Sequence, residues 1–85
     1  LSPWRFWCRY LLGRTYEAVG DITPAIENYV RVTNNRFLGD YRLKSAAYFA
    51  LGRVYFKTGQ YDEALVAFKE ARSLSHNWDT QTELI

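Results

Sequence analysis

The chain has one cysteine, one histidine, two prolines and no methionine in 85 residues. A single Cys8 cannot close an internal disulfide, and no histidine or second cysteine lies near it to build a metal site. Free thiols of this kind favour a reducing compartment, so a cytoplasmic location is expected. Cys8 itself reads as a small buried hydrophobe. No run approaches the roughly 18 apolar residues of a membrane span, and no signal peptide is visible. Excess charge of either sign is small: 11 Lys and Arg against 9 Asp and Glu leave +2, with a pI near 8.8. That is far from the dense basic clustering of nucleic-acid binders, so neither nucleic acid nor membrane is an expected partner. Catalytic constellations are missing as well. His76 has no nucleophile near it in sequence, and Glu17, Glu27, Asp62, Glu63 and Glu70 are spread over what should be solvated faces, with nothing to raise a pKa. The Leu-Gly-x-x-Tyr stretches lack the spacings that cradle phosphates. No enzyme activity, cofactor or metal is expected.

What is present is aromatic and periodic. Aromatics make up 18% of the chain, with three Trp. In Leu51 to Ala71, Leu51, Tyr55 and Thr58 share one helical face and Gly59-Gln60 breaks the pattern. Tyr61, Ala64, Leu65, Phe68 and Ala71 then restart it. This is the pattern of a helical hairpin. Gly52 and Ala64 are expected at the closest approach of the two helices, and Gly59 suits the positive φ of a helix end. A bulky residue at any of the three is expected to push the pair apart.

The signal repeats. Leu12, Gly13, Arg14, Tyr16, Gly20 and Ala25 recur as Leu51, Gly52, Arg53, Tyr55, Gly59 and Ala64, always 39 positions on, and Tyr29 pairs with Phe68. Asp40 falls on Asp79 in the same register. The expected organisation is therefore two units, 1–39 and 40–78, with 79–85 beginning a third. Two hairpins bury little surface by themselves, and the chain opens on Leu1 rather than methionine, so a piece of a larger array is expected.

Along the chain, Ser2-Pro3 makes a good helix start. The first helix should run to Val19 with an apolar stripe of Trp4, Cys8, Leu12, Tyr16 and Val19, widened by Trp7, Tyr10 and Leu11. So broad a surface fits contact with three neighbours; an interfacial membrane helix, with Arg5 and Arg9 at lipid phosphates, is the alternative. Gly20-Asp21 ends that helix. Asp21 or Thr23 can cap the next, whose inner face is Ile22, Ala25, Ile26, Tyr29 and Val32 or Thr33. After a connector over Asn34 to Gly39, Asp40 should cap a long helix from Tyr41 to Thr58. A fourth runs from Tyr61 to about Ser75, with Asp62 and Glu63 favourable in its first turn. His76-Asn77-Trp78 is the expected second connector, and Asp79 the start of a fifth helix.

The pattern L-G-x-x-Y-x-x-x-G followed by A-x-x-x-F/Y resembles the tetratricopeptide repeat. The resemblance covers nearly the whole chain. It implies an all-α fold of tandem antiparallel hairpins in a fragment of a right-handed superhelix: four helices plus the start of a fifth. The usual unit has about 34 residues; the longer one here is similar to the variety of the Pins-type polarity adaptors and kinesin light chains. The resemblance further implies a protein-interaction scaffold with a concave groove lined by the first helix of each unit. Its groove positions fall on Trp7, Tyr10, Leu11, Arg14, Glu17 and Ala18, and on Ala46, Phe49, Ala50, Arg53, Phe56 and Lys57. A row of Arg14 and Arg53 flanked by rings suits a peptide with acidic and apolar residues. The plainer alternative pairs Arg14 with Glu17 one turn on. Tyr10, Arg14 and Ala50 replace the Lys/Asn clamp of chaperone-binding members, and L-G-R replaces the L-G-N of the Pins type, so those ligands are not carried over. Two other readings compete: self-association through ends carrying Trp4, Trp7 and Trp78, and a regulatory array of a larger enzyme or transcription regulator.

Overall fold

A computed structural model describes residues 4–35 and 39–83, with side chains through Ser75. Four helices follow in order: α1 (Trp4–Val19), α2 (Ile22–Thr33), α3 (Tyr41–Lys57) and α4 (Tyr61–Glu83). They form two antiparallel hairpins, α1/α2 and α3/α4, and α3 packs across both helices of the first. The slab measures 41 × 29 × 19 Å, its shortest dimension being about two helix diameters.

The repeat is visible atom by atom. Gly20 and Gly59 both take positive φ, 88° and 82°, and each closes its helix with the same pair of bonds. Gly20 N donates to Glu17 O and Asp21 N to Tyr16 O at 3.1 and 2.9 Å; Gly59 N donates to Phe56 O and Gln60 N to Tyr55 O at 3.2 and 2.8 Å. At Gly59 a side chain would meet no neighbour within 4 Å, so this glycine matters for its backbone angle rather than for space. Gly13 and Gly52 are the space-limited pair. A Cβ on Gly13 would lie 2.6 Å from the Tyr29 ring, and one on Gly52 would lie 2.5 Å from the Phe68 ring. The neighbour of Gly52 is thus the Phe68 ring, although Ala64 is buried nearby on the same helix.

The core lies between hairpins. Leu43, Ala47, Ala50 and Val54 of α3 are fully buried, with Leu51 beside them, at the spacing of one helix stripe. They pack on Ala25, Tyr29 and Val32 of α2, with Phe6 and Tyr10 of α1 at the margin. The α2 face is close to expectation: Ala25, Tyr29, Val32 and Thr33 are buried. Asp40 caps α3, its carboxylate accepting from Leu43 N at 3.2 Å. Asp21 precedes α2 without a side-chain capping bond.

Several expectations are corrected. The α1 stripe lies mostly outside: Trp4, Leu12 and Val19 are 75%, 48% and 68% exposed, and Cys8 is exposed rather than buried. Among the described residues, α1 packs on α2 and α3, and these leave much of its apolar stripe uncovered. On α4, Tyr61 and Leu65 are exposed; its inner face is Ala64, Ala67, Phe68 and Ala71. Thr58 is exposed too, as the residue that closes α3. Finally, α4 continues as helix to Glu83. The connector at His76-Asn77-Trp78 is therefore absent and no separate fifth helix starts at Asp79; nothing in this polar stretch, such as proline or glycine, breaks a helix. The Ser2-Pro3 start, residues 36–38 of the first connector and the Trp78 side chain lie outside the described residues.

Candidate functional site

The first helices of the two hairpins, α1 and α3, lie side by side, so their outward positions form one face. Trp7 of α1 is 41% exposed and meets Tyr10 edge to face at 6.2 Å. Tyr10 is half-buried, leaning on Tyr29 at 5.9 Å. One turn on, the Arg14 guanidinium lies 6.0 Å from the Tyr10 ring centre. Along α3, Phe49 and Phe56 are 54% and 60% exposed. Phe49 packs on Phe68 at 5.5 Å, and Phe56 on Tyr61 at 5.3 Å.

At the centre sits an ion pair that joins the two units. Arg53 donates from Nε to Oε2 of Glu17 at 2.7 Å and from Nη2 to Oε1 at 2.8 Å. Tyr29, whose ring is fully buried, donates its hydroxyl to the same carboxylate at 2.8 Å. Lys57 Nζ stands 3.5 Å away. Only 9% of the Glu17 side chain is exposed. The Arg53 hydrogen bonds, helped by that from Tyr29 and opposed by burial, hold its carboxyl down at about 2. Burial and the bond to Glu17 push the Tyr29 hydroxyl well above its ordinary value.

This geometry revises the expected site. Glu17 does not lie on a solvated face; it pairs with Arg53 and Lys57 across the hairpin boundary and with Tyr29 within its own hairpin, rather than with Arg14. The Arg53 fork is engaged, so the pair of guanidinium groups waiting for a peptide reduces to Arg14. Ala50 is buried in the core against the first hairpin, and Ala46, half-buried, lines a hollow beside α4. Trp7, Arg14, Phe49, Phe56 and Lys57 remain on the surface, with Leu11 and Ala18 also exposed. Glu27, Asp62, Glu63 and Glu70 are exposed as expected. Among the described residues, no group of three potential ligands could hold a metal ion, and no helix is long and apolar enough to cross a membrane.

Two features escaped sequence reading. One is the partnership of Glu17 with Tyr29 and Arg53, 12 and 36 residues away. Its signal was available: Arg53 is the register twin of Arg14, so it stands beside the same face one unit on. The other is an open hollow of ≈ 800 Å³ between α3 and α4 that reaches Tyr10 of α1, walled also by Tyr41, Ser45, Phe49, Phe68 and Arg72. Four of its ten lining residues come from α4, which the groove positions do not include.

Comparison with curated proteins and with solved structures returns no match. Residues 45–78 match the family model of the tetratricopeptide repeat, a segment running from the first turns of α3 into α4. Motifs of this family generally mediate contact between proteins and are typically non-catalytic. The matched segment, 34 of the 85 residues, is similar to the tetratricopeptide repeat and covers most of the α3/α4 hairpin.

Proposed function

We propose that the chain is a non-catalytic interaction scaffold whose α1/α3 face binds a peptide or partner helix carrying acidic and apolar residues. The observation that carries this reading is the chemistry left exposed once the Glu17–Arg53 pair has formed. Trp7 and Phe56 offer apolar area, and Arg14 and Lys57 supply positive charge, with Lys57 still 59% exposed. Phe49 borders the same face. Aromatic rings beside cations supply binding area and a carboxylate contact together. Arg53 serves this face indirectly, fixing α3 against α1 so that the two helices present one surface.

The 39-residue spacing of the Gly13–Tyr29 and Gly52–Phe68 contacts supports the longer type of repeat unit. It also supports a boundary between units near Gly39.

The test is selection from a random peptide display library. The expected binders combine Asp or Glu with Phe, Leu or Trp, and Arg14→Glu with Lys57→Glu should weaken them about tenfold or more, with the helical circular dichroism unchanged. Recovery of basic peptides, or of binders indifferent to both changes, would remove this reading.

A further inference from the structure

The second helices of the two hairpins do not touch. Both α2 and α4 pack on α3, but among the described residues no Cα of one comes within 8 Å of a Cα of the other. Between them runs an open hollow of ≈ 440 Å³ that takes nothing from α1. Tyr48, Leu51 and Tyr55 of α3 form its floor, Val30 and Asn34 of α2 one wall, and Asp62, Glu63 and Val66 of α4 the other. Both hairpins contribute, so the hollow is a seam between the two units.

Its chemistry is divided. The interior is apolar: Leu51 is buried, Val30 is half-buried, and Val66, 61% exposed, would be covered by anything seated there. The rim is acidic. Glu63, Val66 and Glu70 stand on one stripe of α4, three and four residues apart, with Asp62 beside them. Asp62, Glu63 and Glu70 are exposed, and among the described residues none of the three has an ion-pair partner. Their charge is felt at the floor, where burial first and Glu70 second push the Tyr48 hydroxyl above its ordinary value. Tyr48 and Tyr55 are half-buried and make no side-chain hydrogen bond or ring contact among the described residues.

From this we infer that the α2/α4 seam binds a basic, apolar segment of a partner protein, one in which arginine or lysine alternates with aliphatic residues.

Each part of such a segment has a counterpart. The stem of a long cationic side chain is hydrocarbon and lies along Val30, Leu51 and Val66. Its charged head meets the tyrosine rings, whose faces attract cations, and Asp62 and Glu63 accept its N–H groups at the rim. An acidic segment, or a nucleic acid, would meet the same carboxylates without a compensating cation. Arg31 adjoins Val30 and Lys69 follows Val66 by three positions, yet neither lines the seam. This chemistry is the opposite of that on the α1/α3 face, so the two faces select different partners and neither reading rests on the other.

The experiment is amide chemical-shift mapping by NMR on the whole chain, titrated with a blocked hexapeptide of alternating arginine and leucine. A peptide of alternating glutamate and leucine is its counterpart. The arginine peptide should shift Tyr48, Leu51, Tyr55 and Val66 saturably, and its affinity should fall several-fold as salt is raised, because rim charges are screened. The glutamate peptide should leave these four amides unmoved. Asp62→Asn combined with Glu63→Gln should weaken the arginine peptide about three- to tenfold, as expected for two exposed ion pairs. Val66→Arg, which sets a cation in the seam, should weaken it by about tenfold or more. Both variants change exposed side chains of one helix, and circular dichroism verifies that each keeps its helix content. No saturable shift at millimolar peptide, shifts confined to α1/α3 positions such as Trp7 and Phe56, or equal shifts by both peptides would each overturn the inference. So would either variant binding the arginine peptide as well as the parent does.

Discussion

Replacing Glu17 by Gln tests whether the ion pair between the hairpins holds them together. The substitution keeps an oxygen for the Tyr29 hydroxyl but removes the charge that Arg53 grips with two bonds of 2.7 and 2.8 Å. Folding lowers the Glu17 pKa from 4.5 to about 2, which at about 1.4 kcal/mol per unit corresponds to roughly 3 kcal/mol. Arg53 is 34% exposed, so solvent screening reduces this, and about 1–3 kcal/mol is expected. The sign follows from the depressed value: the stabilisation is fully present above pH 4.5 and is lost as pH falls through about 2. Glu17→Gln should therefore lower the urea midpoint at pH 7. In thermal melts it should lower the transition by about 4–8 °C for each kcal/mol. The gap to the wild type should narrow steadily below pH 4.5. Equal stabilities at pH 7, within about 0.5 kcal/mol, would refute this account; so would a gap of the same size at pH 7 and near pH 2.

The glycine contacts predict a change of sign. Gly52→Ala sets a methyl 2.5 Å from the Phe68 ring and should destabilise, overpacking of about 1–3 kcal/mol exceeding the helix-propensity gain of about 1; on a Phe68→Ala background the same change should stabilise, as a double-mutant cycle in urea would reveal. Asp40→Ala removes the bond to Leu43 N and should cost about 1 kcal/mol, whereas Asp21→Ala, where no such bond exists, should stay within about 0.5 kcal/mol. Gly59→Ala forces a side chain into φ 82° and should cost about 1–2 kcal/mol in thermal melts, with nothing to clash against.

Much of the fold could be read from residue spacing because its determinants are local. A positive-φ glycine four residues after a tyrosine ends a helix whatever surrounds it, and Gly20 and Gly59 do so with matching bonds. Close approach at Gly52 was legible from its small size, but its partner was not: the Phe68 ring rather than Ala64 meets it, as the Tyr29 ring meets Gly13. These features, with the inner face of α2 and the cap at Asp40, need only the chain within one hairpin. Tertiary structure decided which apolar stripe is inside. Trp4, Cys8 and Leu12 look like core by period alone, yet hydrophobic periodicity identifies a face without saying whether a neighbour covers it. It also decided the chemistry at Glu17, since whether a carboxylate is solvated or clasped depends on a guanidinium 36 residues away, brought near by packing between hairpins. Local sterics set the rods and their turns; long-range contact chose the buried faces and the charges free to meet a partner.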